Sequence, residues 1–179
     1  MQVLLDRIQF HSDQKAFKQF YQNFFFKLYQ FSYFYVSSKE SAEELVNDVM
    51  LGLWKKRSTL NTISNIEVYL YVAVKNASFN YLRSQKRLVP LSMDDLNVDH
   101  FYFATNPELT LINSELRMQL HEAIDQLPPR CKIIFKLIKE DGLSYKDVAS
   151  ILGISPKTVD SQLCLALKKL ASLLQPIYY

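Results

Sequence analysis

Residues 143–170 read LSYKDVASILGISPKTVDSQLCLALKKL, and this stretch decides the fold of the C-terminal part of the chain. Ser144 is predicted to cap a short helix, and Asp147 three residues later closes a capping box in place of the more usual Glu. Gly153 tolerates the backbone angles of a sharp turn that other residues resist. After that turn, Ser155 is predicted to cap a second helix.

The second of these helices combines an apolar stripe with a polar outer face. The residues predicted to be buried are Val159, Leu163, Ala166, Leu167 and Leu170. Those predicted to point elsewhere are Lys157, Thr158, Asp160, Ser161, Gln162 and Leu165. Two short helices joined by a glycine-containing turn form a helix-turn-helix, whose second helix enters the major groove of DNA.

Composition limits the functions that the chain can have. Its 179 residues fit one domain or two small ones, and a hydrophobic fraction of 49% suffices for real cores. The net charge is only +3, so a binder of nucleic acid must concentrate its positive charge locally. The three glycines lie far apart, which excludes a Gly-rich phosphate loop, and the cysteines and histidines show no zinc-site spacing. We therefore expect no cofactor and no enzymatic activity.

Cysteine usage and the N-terminal segment both bear on the compartment. Cys131 and Cys164 lack C-x-x-C spacing and fall on predicted helices, so reduced core thiols are expected, as in a cytosol. The N-terminal segment, MQVLLDRIQFHSDQKAF, carries charges every few residues and has no long apolar core. It predicts neither a signal peptide nor a membrane anchor. The chain is accordingly expected to be cytoplasmic.

Helical periodicity dominates the N-terminal half of the chain. Asp13 is predicted to cap a first helix that runs to about Tyr35, and the aromatic residues of this helix at every third or fourth position indicate an aromatic core. A second helix is predicted over residues 41–56. Its inward residues are expected to be Leu45, Val49, Leu53 and Trp54. A third helix is predicted to open at Asn65 or Glu67.

The second predicted helix has an acidic strip on its outer side. The strip comprises Glu43, Glu44, Asn47 and Asp48, with Glu44 and Asp48 one turn apart. One interpretation is a solvated face, with favourable charge near the N-terminus of the helix. The other is a docking surface for a basic partner. Composition alone favours the solvated face.

Residues 51–87 carry the strongest positive charge of the chain. Seven basic residues stand against a single acid, Glu67, which gives a local charge of +6. The aromatic residues interleaved with them are Tyr69, Tyr71, Phe79 and Tyr81. Cations beside aromatics and amides suit single-stranded nucleic acid, because phosphates pair with cations and bases stack. A basic helix end that complements its own dipole explains the charge equally well.

The character of the chain changes after residue 87. From Leu88 to Leu111 there are four acids and neither Lys nor Arg, which predicts an acidic linker between two helical domains. The predicted boundaries are residues 1–87 for the first domain, 88–112 for the linker and 113–179 for the second domain. The predicted fold class is all-α, with two small helical domains and a helix-turn-helix in the C-terminal one.

Two blocks of the sequence together resemble a known family, the extracytoplasmic-function (ECF) sigma factors, which give bacterial RNA polymerase its promoter specificity. AEELVNDVMLGLWKK followed by EVYLYVAVKNASFNYLRSQKR resembles the second conserved region of the family. IDQLPPRCKIIFKLIKEDGLSYKDVASILGISPKTVDSQLCLALKKL resembles the fourth region. The helix-turn-helix alone also occurs in response-regulator effector domains, whereas both blocks in this order make a specific signal.

The resemblance implies a role for each block. The helix that carries Glu44, Asn47 and Asp48 would dock on the clamp helices of the largest polymerase subunit. The third helix and the loop before it would melt the minus-ten element and capture a flipped base. The implied DNA-binding residues there are Lys75, Asn76, Asn80 and Arg83, with Tyr69 and Tyr71 as stacking partners. The implied contacts to the minus-thirty-five element are Ser155, Lys157, Thr158, Ser161, Gln162 and Leu165.

The resemblance also implies partners, namely core RNA polymerase, promoter DNA and a cognate anti-sigma factor, without membrane insertion or a small-molecule substrate. The chain departs from the family at Asp160, Leu165 and Leu167, where basic residues are common. Fewer phosphate contacts follow, so tight promoter binding is expected only within the holoenzyme. The alternative is a stand-alone helix-turn-helix regulator that dimerises on a palindrome, which would leave the acidic strip and the basic helix without a role.

Overall fold

The computed structural model describes residues 1–85 and 114–174, and every regular element within these ranges is a helix. The chain divides into two compact units, Met1–Val89 and Pro90–Tyr179. The prediction of an all-α fold with two helical parts is confirmed. The predicted acidic linker at 88–112 lies outside the described residues.

The described residues of the first unit form four α-helices and one 3-10 helix. They are α1 (Gln2–His11), α2 (Gln14–Val36), α3 (Lys39–Lys55), the 3-10 helix (Arg57–Thr62) and α4 (Ile66–Ser84). Asp13 caps α2 as predicted, because its Oδ1 accepts hydrogen bonds from the N–H groups of Lys15 and Ala16 at 2.8 and 3.1 Å. The pKa of the Asp13 carboxyl is lowered from its usual value. The hydrogen bond from the Ala16 N–H is the largest cause, and the hydrogen bond from the Arg7 side chain is the next. Asn65 caps α4 through its side-chain oxygen.

Aromatic side chains fill the core of the first unit, as the sequence predicts. Phe20, Phe24 and Phe31 of α2 are buried. Phe31 meets the buried ring of Tyr71 from α4 edge to face, with the ring centroids 5.0 Å apart. Such a pair adds about 0.5–1.5 kcal/mol beyond the area that it buries. Because α2 packs against α1, α3 and α4, it holds the other helices of the unit in place.

The first unit differs from expectation in two respects. Helix α1 and the 3-10 helix were not predicted, since both are short and each buries a single side chain, Ile8 and Leu60 respectively. The inward face of α3 was predicted partly wrongly. Its buried residues are Ala42, Val46, Met50 and Leu53, whereas the expected Leu45, Val49 and Trp54 are half-buried. Helix α3 packs against both α2 and α4, so the row of side chains between them is buried and the adjacent row lies at the flank.

The second unit contains the predicted helix-turn-helix. Its helices are α5 (Ser114–Asp125), α6 (Pro129–Lys139), α7 (Tyr145–Leu152) and α8 (Pro156–Leu174). The Ser144 hydroxyl accepts a hydrogen bond from the N–H of Asp147 at 3.2 Å and donates one to its carboxylate at 2.6 Å. Gly153 ends α7 in the left-handed conformation, with φ of 71°. The cap and the glycine turn between α7 and α8 are therefore confirmed.

Helix α8 is the centre of the second unit, because it packs against α5, α6 and α7. Its buried stripe comprises Val159, Leu163, Ala166 and Leu170. Leu167 was expected in this stripe, but it is 42% exposed. One residue of helix rotates a side chain by about 100°, which carries Leu167 away from Ala166. Cys131 is buried but Cys164 is exposed, so the expectation of two core thiols is wrong for Cys164.

Two buried lysines of α6 join it to neighbouring segments. The Lys136 ammonium lies 2.8 and 2.9 Å from the two carboxylate oxygens of Asp141, just beyond the end of α6. The Lys132 ammonium donates to the carbonyl and the carboxylate of Asp125, at the end of α5, at 3.0 and 3.1 Å. Burial raises the pKa of the neighbouring Glu140 carboxyl to about 7, with Lys136 opposing this effect and Asp141 adding to it. These ion pairs fix the connections on both sides of α6.

Candidate polymerase and nucleic-acid interfaces

The outer face of α3 carries the residues predicted to meet the polymerase. Glu44, Asn47 and Asp48 are all exposed. Leu51 lies on the same face, three residues after Asp48, and is 49% exposed. The sequence interpretation missed Leu51, although its spacing from Asn47 and Asp48 was a usable signal. The face therefore combines two negative charges, an amide and an apolar side chain, and we call these four residues the α3 strip.

A row of aromatic side chains on α2 adjoins the α3 strip. Tyr21, Phe25, Tyr29 and Tyr33 follow one another at four-residue spacing and stack in succession, with ring centroids 5.0, 6.1 and 6.3 Å apart. All four are half-buried. The Tyr21 hydroxyl donates a hydrogen bond to Oδ1 of Asn47 at 2.7 Å, which orients that amide. The aromatic residues of α2 thus form a partly exposed face as well as the predicted core.

One face of α4 carries the amides and the arginine predicted to contact DNA. Asn76, Asn80 and Arg83 are exposed, and Tyr69 on the same face is 37% exposed. The Arg83 guanidinium donates a hydrogen bond to Oδ1 of Asn80 at 3.4 Å. Cation, amides and aromatic ring therefore line one surface, a combination that suits unpaired bases and their phosphates. We call these four residues the α4 face.

Two other residues of α4 that were predicted to meet DNA are less accessible. Tyr71 is fully buried, so the prediction that it stacks on a base is wrong. Two residues of helix rotate a side chain by about 200°, which places Tyr71 opposite Tyr69. Lys75 is half-buried, and this burial lowers the pKa of its ammonium group.

The exposed side chains of the 3-10 helix before α4 are polar and uncharged. Leu60 is buried beneath it. The exposed side chains are Ser58, Thr59, Asn61 and Thr62. The hydroxyls of Thr59 and Thr62 donate to backbone carbonyls three residues earlier, at 2.9 and 2.7 Å. The sequence predicted only a loop here, whereas the segment has a defined local structure.

Three of the predicted contacts at the start of α8 hold the helix itself. The Ser155 hydroxyl accepts a hydrogen bond from the N–H of Thr158 at 3.0 Å, and the two hydroxyls are 2.8 Å apart. The Ser161 hydroxyl donates to the carbonyl of Lys157 at 2.9 Å. A hydroxyl has one donor and two acceptor positions. Ser161 therefore presents acceptor positions outward, which suit amino groups of bases better than phosphate oxygens.

The remaining predicted residues of α8 point in different directions. Lys157 is exposed, and Leu165 is 54% exposed. Gln162 is turned towards α6, because its Oε1 accepts a hydrogen bond from the Cys131 thiol at 3.2 Å. Gln162 and Leu165 line a shallow, largely apolar groove beside Pro128. The outer face of α8 is thus less polar than its sequence suggested.

Residues 1–85 and 114–174 contain no group of three or more His, Cys, Asp or Glu side chains placed to hold a metal ion. Over the same residues, none of the helices has the length and hydrophobicity that crossing a membrane requires.

Two family models match the chain, one in each unit. Sigma-70 region 2 matches residues 20–88, and Sigma-70, region 4 matches residues 117–170. The first match contains α3, the 3-10 helix and α4, and the second contains α6, α7 and most of α8. Together the two matches cover more than half of the chain.

Similar proteins match nearly the full length. The ECF RNA polymerase sigma-E factors of Escherichia coli (strain K12) and Haemophilus influenzae are each 28% identical over 98% of this chain, and 95% and 96% of their own lengths are covered. The sigma factor RpoE from Bartonella quintana, solved in complex with the anti-sigma factor NepR, has 27% identity and a TM-score of 0.60, covering 90% of this chain and 98% of that one. CnrH, solved in complex with the cytosolic domain of CnrY, shares the fold at 17% identity, with a TM-score of 0.59 over 97% of this chain and 96% of that one. The two matched sigma-70 regions, together with the similarity to ECF sigma-E factors over nearly the full length, make this chain a member of the ECF group of RNA polymerase sigma factors, which bind core polymerase and direct it to promoters.

Proposed function

We propose that this sigma factor assigns polymerase docking and minus-ten opening to its first unit, and minus-thirty-five recognition to its second. The observation that supports this division best is that the first unit presents two chemically different surfaces. The α3 strip is acidic with an apolar centre, whereas the α4 face carries amides, an arginine and an exposed tyrosine. The first surface suits a basic protein partner and the second suits opened DNA.

The α3 strip is the proposed contact with core RNA polymerase. Its residues Glu44, Asn47 and Asp48 provide charge and hydrogen bonds around the exposed side chain of Leu51. Protein interfaces commonly bury an apolar centre inside a polar rim, and charge complementarity fixes the register of the two partners. Tyr21 supports the strip from α2 by orienting the Asn47 amide.

The α4 face and the 3-10 helix are the proposed site of minus-ten recognition. Extruding a base costs a few kcal/mol of stacking and pairing, which capture of the base must offset. Asn76 and Asn80 offer amides for hydrogen bonds to base edges, and Arg83 offers a cation for the backbone. Tyr69 offers a ring for stacking, while half-buried Lys75 can reach a phosphate beside this face. The exposed polar side chains of the 3-10 helix extend the same surface towards the N-terminus of α4.

Helix α8 is the proposed reader of the minus-thirty-five element. Lys157 supplies the cation at its outer N-terminal end, and Ser155, Thr158, Ser161, Gln162 and Leu165 are the proposed neighbours on the DNA side. Asp160 is exposed on this helix and opposes binding to phosphates. Phosphate contacts dominate the affinity of proteins for DNA. The second unit is therefore proposed to bind promoters weakly unless polymerase supplies further contacts.

An anti-sigma factor is a further proposed partner. The structural relative RpoE was solved in complex with the anti-sigma factor NepR, and it shares 27% identity with this chain. A protein that covers the α3 strip would compete directly with core polymerase for it. The proposed compartment of action is the cytoplasm, where bacterial polymerase and promoters are found.

Transcription in a defined system tests the proposed function. The purified chain and core RNA polymerase are incubated with a genomic DNA library, and the start sites of the transcripts are sequenced. Promoter-specific starts that share two spaced elements are expected. Tight operator binding by the chain alone, without association with core polymerase, would contradict the proposal and favour a stand-alone regulator.

Replacing Asn80 with alanine is expected to slow formation of the open complex more than it weakens initial promoter binding. The amide can pair with a base edge only after the strands separate, and a base contact of this kind contributes about 1–3 kcal/mol. Permanganate footprinting measures melting, and filter binding measures the initial complex. Asn23→Ala, which changes another exposed asparagine, on α2, is the control. Normal melting by the Asn80 variant would count against the proposed role.

Replacing Lys157 with alanine is expected to lower affinity for the upstream element by about 1–3 kcal/mol, the range for a base contact. The measurement is holoenzyme binding to promoters that carry the natural or a scrambled upstream element. Lys139→Ala removes an exposed lysine from the end of α6 and serves as the control. A loss that does not depend on the upstream sequence would show that Lys157 contacts a phosphate rather than a base.

A further inference from the structure

We propose that Gln9 of α1 is a positioning residue for minus-ten recognition, because its side-chain amide holds the 3-10 helix in the conformation that meets DNA. The inference rests on the proposed function of the first unit and extends it to a helix outside the region that the family model matches, residues 20–88. Gln9 itself is not required to touch DNA. It acts on the segment that carries Ser58, Thr59, Asn61 and Thr62.

The Gln9 amide makes two hydrogen bonds to the backbone of the 3-10 helix. Its Nε2 donates to the carbonyl of Ser58 at 3.1 Å, and its Oε1 accepts from the N–H of Asn61 at 2.9 Å. The two backbone groups lie three residues apart, which is the spacing of one 3-10 turn. A primary amide both donates and accepts hydrogen bonds, so the side chain of Gln9 alone can bond to both ends of that turn.

A second contact secures the start of the same helix. The Arg57 guanidinium donates to the hydroxyl of Ser12 at 2.9 Å and to the carbonyl of Trp54 at 3.0 Å. Its cationic carbon lies 4.7 Å from the centre of the Trp54 ring. Ile8, the residue before Gln9, is buried and anchors α1 to the unit. Helix α1 and the turn after it therefore hold the 3-10 helix at two places.

The 3-10 helix needs such external support for a physical reason. Its hydrogen-bond geometry is poorer than that of an α-helix, so its own backbone bonds hold it less firmly. Leu60 supplies its one buried side chain, and the side chains of Ser58, Thr59, Asn61 and Thr62 are exposed. Asn61, whose N–H is bonded to Gln9, has an exposed side chain. Loss of that bond would move a polar group next to the N-terminus of α4, where the proposed base-capturing surface begins.

The test compares Gln9→Ala with Gln2→Ala in the full chain combined with core polymerase. Gln2 is the matched control, because it lies on the same helix and its amide bonds to Asp6 of that helix, at 2.9 Å, rather than to the 3-10 helix. Two partly exposed hydrogen bonds predict a roughly threefold to tenfold slower opening of the promoter for Gln9→Ala. Core binding is expected to be unchanged, and the preference among minus-ten sequences is expected to relax. A merely structural role would not change that preference.

Hydrogen exchange keeps the inference testable if Gln9→Ala lowers the stability of the unit. The Asn61 amide is expected to exchange faster in Gln9→Ala while the amides in the middle of α4 keep their wild-type rates. Gln9→Glu keeps the acceptor for Asn61 but loses the donor to Ser58, so its opening rate is expected between wild type and Gln9→Ala. The inference is overturned if Gln9→Ala matches Gln2→Ala in opening rate and minus-ten preference, or if its core binding and opening fall in parallel. Failure of the proposed function is distinguishable, because the wild-type chain would then direct no promoter-specific initiation.

Discussion

Replacing Asp48 with lysine is expected to weaken binding to core RNA polymerase roughly tenfold to a hundredfold. The substitution reverses a charge on the exposed α3 strip, beside Glu44 and Leu51. Against a basic partner, the new lysine would set like charges together, which costs several kcal/mol in a close interface. Asp48 lies in the second half of α3, far from the N-terminal turn where a carboxylate stabilises the helix. The effect is therefore expected in docking rather than in folding.

Competition with a labelled sigma factor for core polymerase measures the effect of Asp48→Lys. Asp6→Lys makes the same change of charge at an exposed position of α1 and serves as the control. The single tryptophan, Trp54, lies in α3, so its fluorescence reports whether the first unit remains folded. Equal competition by wild type and the Asp48 variant would show that the α3 strip is a solvated face, as composition alone favours.

Replacing Asp141 with alanine is expected to lower the free energy of unfolding of the second unit by about 3–5 kcal/mol, because it leaves the charge of Lys136 buried without its principal partner. The Lys136 side chain is 0% exposed, and both carboxylate oxygens of Asp141 lie within 2.9 Å of its ammonium. Glu140 is a weak substitute. Its carboxylate lies 3.9 Å from the ammonium, and burial raises its pKa to about 7.

Amide hydrogen exchange across α6, α7 and α8 measures the effect of Asp141→Ala. The exchange must be followed in the second unit itself, since Trp54 lies in the first. The double variant Lys136→Met/Asp141→Leu is the control, because replacing a buried pair by apolar residues is often neutral or stabilising. A fall of less than about 1 kcal/mol in the single variant, comparable with an ordinary hydrogen bond, would contradict the expected importance of the pair.

A destabilised second unit has a consequence for promoter choice. Asp141 lies between α6 and the helix-turn-helix, and the N–H of Leu143 bonds back to the carbonyl of Leu137 at 3.0 Å. Loosening this connection is expected to reduce recognition of the upstream element, while docking of the α3 strip on polymerase is retained. The Asp141 variant is therefore expected to keep its affinity for core polymerase but to lose part of its preference for promoters that carry the upstream element.

Local features of the fold were predictable from the sequence. Asp13, Ser144 and Ser155 were each predicted to cap a helix, and each does so by accepting a hydrogen bond from an N–H two or three residues later. The third helix was predicted to open at Asn65 or Glu67, and Asn65 caps it. The turn at Gly153 was predictable for the same reason, because glycine adopts the left-handed backbone at no steric cost. Signals that act within three or four residues need no knowledge of the packed structure.

The faces of helices were harder to predict than their positions. Helical periodicity sets the spacing of a row of side chains but does not say which of two adjacent apolar rows is buried. On α3, the row with Ala42 and Val46 is buried, and the row with Leu45 and Val49 lies at its flank. Tyr71 and Leu167 were misassigned similarly, one turned into a core and the other out of it. Packing against neighbouring helices determines which of these side chains are buried.

The candidate interfaces likewise combine features that the sequence predicts with contacts that only packing produces. Exposure of Asp48, Asn80 and Lys157 follows from their places on the polar sides of amphipathic helices. The orientation of Asn47 by Tyr21 joins residues 26 positions apart. The hydrogen bond from the N–H of Asn61 to the Gln9 side chain joins residues 52 positions apart. No sequence spacing predicts such contacts, because they exist only once separate helices have packed.

The sequence by itself determined that this protein has two helical parts in a set order, that the second contains a helix-turn-helix, and that the whole resembles the ECF sigma factors. Caps, a glycine turn and apolar periodicity encode these features within a few residues of each position. Only the tertiary structure decided which side chains are exposed to partners and which side chains hold the proposed DNA-contacting segments in place. Burial of Tyr71, the Lys136–Asp141 pair and the Gln9 contact depend on where distant helices meet, and packing of the whole unit fixes that.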